Sequence, residues 1–392
     1  MNSIYLDNNA TTRIDPRVAQ AMHDCELAGH VNPASQHHLG RRTRRILEQA
    51  RESIGQLLGC HLSDTRADRV VFTSGGTEAN NLAIFGLVGR PPGHVIVSAI
   101  EHPSVMGAAD RLAQLGFHVG RIGVSRDGVV QPDHLRELLR PETRLVSVML
   151  GNNETGVLQP VPELAQICAE AGVPLHTDAV QVVGKLPVDF RRLGAAAMSL
   201  TAHKFHGPRG IGALVLRPDV QIAPMLFGGF QQEGIRPGTE AIALVVGLHR
   251  ALELWAEEAD ARQQRLTALR DQLENALRDE LPDLVVNGAA APRLPHTVNL
   301  CFPGIERQTL LMALDFAGVA CSSGAACASG SSEVSPVLTA MGLDAEITSG
   351  SIRISVGADA TAAEIAEASR RISSTVKDLR KTARNPNPSI PV

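Results

Sequence analysis

Lysine is nearly absent from this chain. Of 37 lysine and arginine residues only four are lysines, at Lys185, Lys204, Lys377 and Lys381. The six cysteines, Cys25, Cys60, Cys168, Cys301, Cys321 and Cys327, include no C-x-x-C pair, so the spacing of a structural zinc site is missing and no metal is expected. No apolar run reaches the roughly 18 residues of a membrane-spanning helix. No basic tract accompanies the formal net charge of −4, so nothing argues for a nucleic-acid partner. The opening stretch, Met1-Asn-Ser-Ile-Tyr-Leu-Asp7, has no basic segment followed by an apolar one. No export signal is therefore expected, and a cytoplasmic protein is the default. Thiols in a reducing compartment stay free. Cys25, Cys168 and Cys301, among apolar or helical neighbours, read as small buried hydrophobes.

What is present describes a soluble globular chain. At 392 residues, 44% hydrophobic and 20% charged, it is long enough for two or three domains. From about residue 70 to 216 short apolar runs alternate with helical patterns. Strands are expected at 70–72, 95–97, 117–122, 145–150, 173–177, 196–200 and 211–216, and helices at 77–87, 103–115, from 132, and at 161–171. Such alternation, with strands apolar on both faces, predicts a largely parallel sheet covered by helices. Beyond Gly238 the pattern changes to one long helical stretch over 241–281. Strands near 284–286 and 298–301, a helix from Gln308, a strand at 351–356 and a helix from Thr361 follow. The fold class is therefore α/β, a large domain with a mostly parallel sheet over 16–250 and a smaller α+β domain from 1–15 and 251–384. The proline-rich tail 385–392 is expected to be disordered.

Lys204 lies in Ser199-Leu-Thr-Ala-His-Lys-Phe-His-Gly-Pro-Arg-Gly210, after an apolar strand. An arginine cannot act as a nucleophilic amine, whereas a desolvated lysine can. A lysine in that setting suggests Schiff-base chemistry with a carbonyl, that of pyridoxal phosphate included. A plain surface lysine at a strand end fits the segment as well. Thr73-Ser-Gly-Gly-Thr-Glu78 joins a strand to a helix, where amides and the helix N-terminus favour a single phosphate. It also reads as an ordinary capped helix start. Asp178, closing a strand, points a carboxylate to the ligand edge of a parallel sheet, where it would keep a pyridine nitrogen protonated, or it caps the next turn. His102, in Glu101-His-Pro-Ser104, stacks on a flat ring or moves protons, or is structural. Cys327 sits in Cys321-Ser-Ser-Gly-Ala-Ala-Cys-Ala-Ser-Gly-Ser-Ser332, among small residues that allow motion and leave a thiol accessible. A flexible linker with an incidental cysteine has the same composition. Arg353, alternating with apolar residues on a strand, suits a substrate carboxylate or a structural ion pair.

Together these segments resemble the cysteine desulfurases of the nitrogen-fixation and housekeeping iron–sulfur class. The likeness runs in order through Tyr5-Leu-Asp-Asn-Asn-Ala-Thr-Thr12, Asn32-Pro-Ala-Ser35, Ser74-Gly-Gly-Thr-Glu78, Glu101-His102, Asn152-Asn-Glu-Thr-Gly156 and Asp178-Ala-Val-Gln181. It continues through Ala202-His-Lys-Phe-His-Gly-Pro-Arg-Gly210, Arg236-Pro-Gly-Thr-Glu240, Ser323-Gly-Ala-Ala-Cys-Ala-Ser-Gly330 and Ser351-Ile-Arg353. The resemblance implies the aspartate-aminotransferase-like (type I) pyridoxal phosphate fold and a homodimer. It implies Lys204 as the lysine that carries the cofactor, with Gly76, Thr77, Thr201 and His203 at its phosphate and Thr239 reaching over from the other subunit. Asp178 would meet the ring nitrogen, Gln181 the ring oxygen, and His102 the ring face. Asn153 would lie beside the ring and Arg353 would hold the carboxylate of L-cysteine. Cys327 would take the sulfur as a persulfide, leaving alanine, and pass it to an acceptor or scaffold protein. A selenocysteine lyase or aminotransferase on the same fold needs no such cysteine, and a non-catalytic cluster scaffold would group its thiolates. Two departures stand out. Pro237 replaces a small residue, and the tail lacks the aromatic, charged ending that docks a scaffold protein. The Arg-x-Gly-His-His pattern of the other desulfurase class is absent.

Overall fold

Five-residue runs such as His94–Ser98 and Gly212–Leu216 are buried at every position, which only a strand covered on both faces can satisfy. The computed structural model builds a layered molecule around them and describes residues 3–63, 66–324 and 334–384. The first part contains β1 (Ile4–Tyr5), α1 (Pro16–Leu27), α2 (His38–Leu57), β2 (Arg69–Thr73), α3 (Gly76–Leu87), β3 (His94–Ser98), α4 (Pro103–Gln114), β4 (His118–Ile122) and α5 (Pro132–Leu138). Next come β5 (Thr143–Ser147), α6 (Val161–Glu170), β6 (Leu175–Asp178), α7 (Phe190–Leu193), β7 (Ala197–Thr201), β8 (Gly212–Leu216) and the 39-residue α8 (Ile242–Glu280). The last part holds β9 (Val285–Asn287), β10 (Thr297–Cys301), α9 (Arg307–Phe316), β11 (Val319–Ala320), α10 (Pro336–Ala340), α11 (Ala345–Ser349), β12 (Ser351–Ser355) and α12 (Ala362–Arg384). Proline stands in the first turn of α1, α4, α5, α6 and α10, where its missing N–H costs no intrahelical bond.

Seven strands form one sheet in the order β2-β8-β7-β6-β5-β3-β4. β8 alone runs antiparallel to its neighbours, so the C-terminal ends of the other six share one edge. The first cluster of core residues joins this sheet to α2, α6 and the first half of α8, with Leu47, Ile54, Met198, Leu252 and Trp255 buried together. A second cluster collects the later half of α8, through Leu269, Leu273 and Leu277, with β10, β12, α12 and the N-terminal Ile4 and Leu6. One continuous helix therefore packs into both cores. The N-terminal segment is extended, pairs in parallel with β11 through Ile4 and Tyr5, and bridges Asp7 to Ser355. A three-stranded antiparallel sheet, β12-β10-β9, completes the smaller unit.

Helices α1 and α2 have no counterpart in the sequence reading. The apolar stripe of α2 is narrow, Leu47, Ala50 and Ile54, within a helix otherwise dominated by arginine and glutamate. Cys25, Cys168 and Cys301 are buried, as their neighbours suggest. Cys327 and the tail 385–392 lie outside the described residues. Among the described residues no helix is long and apolar enough to cross a membrane.

Candidate active site

The shared strand edge gathers most of the chemistry-bearing residues. Asp178 ends β6, Thr201 ends β7, and His203 and Lys204 follow in a single tight turn. His102 follows β3 and Asn153 follows β5. Lys204 is held by the N-terminal segment, which crosses over it: its Nζ donates to Asn9 O at 2.5 Å and Ala10 O at 2.8 Å. The crossing is fixed by Thr12 N to His203 O at 2.9 Å and by His206 N to Thr12 Oγ1 at 2.7 Å. His206 adopts φ 66° there, a left-handed conformation uncommon outside glycine, to turn the chain back after the lysine. Burial, then Lys204, Lys185 and Arg209, push the His203 imidazole down to about 4, so it is neutral at pH 7.

Asp178 is buried, accepts from Asn80 Nδ2 at 2.7 Å and from Val180 N at 2.9 Å, and so caps the turn while facing the site. The turn-capping contact expected of this aspartate is present. Gln181, next after Val180, is also buried and donates through Nε2 to Asn9 O at 3.1 Å.

His102 caps α4, its Nδ1 accepting from Ser104 N at 3.1 Å. Burial above all, with Lys204 adding to it, lowers its basicity. Asn153 is buried, and its carbonyl accepts from Arg353 Nη1 at 2.9 Å. Arg353, 2% exposed, also pairs with Asp7 through Nη2 at 2.5 Å.

Thr77, Gly76, Thr201 and His203 line a cavity of about 340 Å³ with Ser74 and Arg209. It opens at the N-terminus of α3, where the first-turn amides and the helix dipole favour an anion. A Cβ on Gly76 would lie 2.9 Å from Val180 Cγ2, so the close packing needs glycine. Thr239 is exposed and does not line this cavity. A larger cleft of about 1010 Å³, between α2 and residues 230–240, contains none of the expected site residues.

The residues present fit pyridoxal phosphate: an anion cavity, an amine, and a buried carboxylate lie along one edge. Asn153 Oδ1, Thr177 Oγ1 and Arg353 Nε, all buried, have no hydrogen-bond partner among the described residues, as expected where a polar ligand completes the set.

Sequence reasoning missed the contacts of Asn9, Glu78 and Asn80. Glu78 accepts from Ser74 N at 2.7 Å and forms a two-contact ion pair with Arg236, at 2.8 and 3.2 Å, tying the segment that carries Thr239 to the phosphate cavity. Glu78 and Arg236 both lie in motifs already singled out, and their opposite charges were the available signal. Asn9 also lies in a quoted segment, Tyr5 to Thr12, whereas Asn80 had only its polar character.

Comparison with known proteins identifies the family. The aminotransferase class-V family matches residues 4–367. Cysteine desulfurase IscS of Dictyoglomus turgidum is 41% identical over 90% of this chain and 89% of its own length. Cysteine desulfurase NifS of Azotobacter vinelandii is 38% identical over 98% of this chain and 95% of its own. Among solved structures, a NifS-like protein from Rickettsia africae superposes with a TM-score of 0.87 at 32% identity, covering 96% of this chain and 100% of that one. The chain belongs to the aminotransferase class-V family, within its cysteine desulfurase branch.

Proposed function

We propose that this chain is a pyridoxal-phosphate-dependent cysteine desulfurase that converts L-cysteine to L-alanine and carries the sulfur on Cys327. The observation that carries the reading is the convergence of Lys204, Asp178 and the anion cavity on one sheet edge. The relatives' shared activity supports it. When bound, pyridoxal phosphate supplies an electron sink for charge left at the substrate Cα.

The chain's own residues account for the rest. Ser74, Gly76, Thr77, Thr201, His203 and Arg209 hold the phosphate. Lys204 holds the cofactor's carbonyl carbon and moves the proton at Cα. Asp178, fixed by Asn80, keeps the ring nitrogen protonated, and Gln181 donates to the ring oxygen. His102 covers the ring face beside Asn153, and Arg353 binds the substrate carboxylate. The Cys327 thiolate attacks the substrate sulfur. The Cβ–S bond breaks, the sulfur remains as a persulfide on Cys327, and the carbon skeleton takes up protons to leave as alanine. Cysteine plus thiol thus give alanine plus persulfide, with no external oxidant. The enzyme works as a cytoplasmic homodimer, with Thr239 completing the partner's phosphate site, and hands sulfur to an acceptor for iron–sulfur cluster assembly.

The test is sulfide and alanine release from L-cysteine with a thiol reductant, wild type against Cys327→Ala. Equal amounts of both products from the wild type, and neither from a variant that keeps its visible cofactor absorbance, support the assignment. Undiminished sulfur release by Cys327→Ala moves it to a lyase that uses Lys204 alone.

A further inference from the structure

Two of the four lysines lie on the surface, where Lys377 pairs with Glu280 and Lys381 with Asp378. Lys185 does not. It is 5% exposed and forms no ion pair among the described residues. Burying an amine without a counter-charge is costly, so its hydrogen bonds carry its purpose. Its Nζ donates to Gln181 O at 3.1 Å and to Gln181 Oε1 at 3.4 Å. Gln181 Nε2 then faces the other way, onto Asn9 O, the same carbonyl that accepts from Lys204. Reversing the amide would set Nε2 against the Lys185 amine and Oε1 against Asn9 O. Oε1 and Asn9 O would then meet as two acceptors, and Asn9 O would lose its Gln181 donor.

We propose that Lys185 is a positioning residue for the cofactor ring: it fixes the Gln181 amide so that the NH2, not the carbonyl, faces the ring oxygen. This rests on the placement of Gln181 given under Proposed function. Lys185 also lies near other cationic or titratable groups, sharing a small cavity of about 20 Å³ with Lys204, His206, Arg262 and His296. A direct charge effect has to be separated from the positioning effect.

The experiment is a pH titration of the visible band of the holoenzyme. A donor on the ring oxygen favours the deprotonated form of the bound chromophore and lowers the midpoint. Lys185→Met is expected to raise that midpoint by about one unit, the worth of one hydrogen bond to a charged group. Gln181→Ala is expected to raise it equally, and the double variant no further, because both changes remove one interaction. An unmoved midpoint in Lys185→Met, with Gln181→Ala shifted, overturns the proposal. So does an additive shift in the double variant, which marks a direct charge effect. Should Lys185→Met fail to fold, Lys185→Gln carries the same test: its shorter donor gives a smaller rise than Gln181→Ala, and no rise overturns the proposal. A wild type that takes up no pyridoxal phosphate refutes the functional reading instead.

Discussion

Replacing Arg353 by methionine is expected to have two separable effects. The guanidinium divides its nitrogens: Nη2 on Asp7, Nη1 on the Asn153 carbonyl, and Nε with no partner among the described residues. Breaking a buried ion pair costs about 3–5 kcal/mol. The Asp7 side chain is 20% exposed, so its stranded charge is partly solvated and a loss of about 2–3 kcal/mol is expected. Asp7→Asn breaks the same pair but strands the 2% exposed guanidinium, so it should cost the full ~3–5 kcal/mol while keeping the arginine. Loss of a charge-assisted contact to the substrate carboxylate, about 1.5–3 kcal/mol, lowers kcat/KM for L-cysteine by roughly 10- to 150-fold. The assay pairs thermal melts with spectral titrations using L-cysteine and L-cysteine methyl ester, which has no carboxylate charge. Arg353→Met should weaken the acid far more than the ester, and Asp7→Asn should not discriminate between them. Equal weakening of acid and ester by Arg353→Met refutes a carboxylate-binding role and leaves only the ion pair.

Burial pushes the Glu101 carboxyl up to about 8. The folded chain then holds a proton that the unfolded chain releases above about 4.5, so this residue's contribution to stability falls as pH rises from about 4.5 to 8. Glu101→Gln should flatten that dependence in urea melts across the window, and parallel curves would refute it. A Cβ on Gly212 would meet the Gly75 carbonyl carbon and Leu200 O, both at 2.7 Å. Gly212→Ala should displace the start of α3 and raise the Kd for pyridoxal phosphate roughly 5- to 160-fold, from overpacking of about 1–3 kcal/mol. Gly107→Ala, on α4 with nothing within 4 Å of the added Cβ, is the control. It should raise stability by about 0.5–1 kcal/mol and leave cofactor affinity unchanged.

The sheet and its helices were legible because each apolar run matched one period. The candidate site residues were legible because lysine, aspartate and histidine stood at or shortly after the ends of those runs. The supporting residues were not. Asn9 acts on Lys204 from 195 positions away, and no local pattern reports such a contact. Asn80 sits on the inner face of α3 and reaches Asp178 only once α3 packs on the sheet. α2 escaped because its buried apolar stripe is three residues wide. Lys185 stood out by rarity alone, since the amide it holds becomes its neighbour only when residues 180–185 coil into consecutive turns.

The parallel pairing of β1 with β11, and of Asn8 and Asn9 with Ser355, has a consequence for synthesis. The first strand made must wait for nearly the last. At about 5–20 residues per second, the ribosome takes roughly 20–70 s to deliver Ser355 after Ile4. Until then Thr12 can already dock on His203 and His206, but Asn8 and Asn9 lack the Ser355 contacts that complete the hold over Lys204. The large sheet can form early, but a cofactor arriving then meets an unfinished site. Loading is therefore expected to follow the pairing of Ser355 with the N-terminal segment.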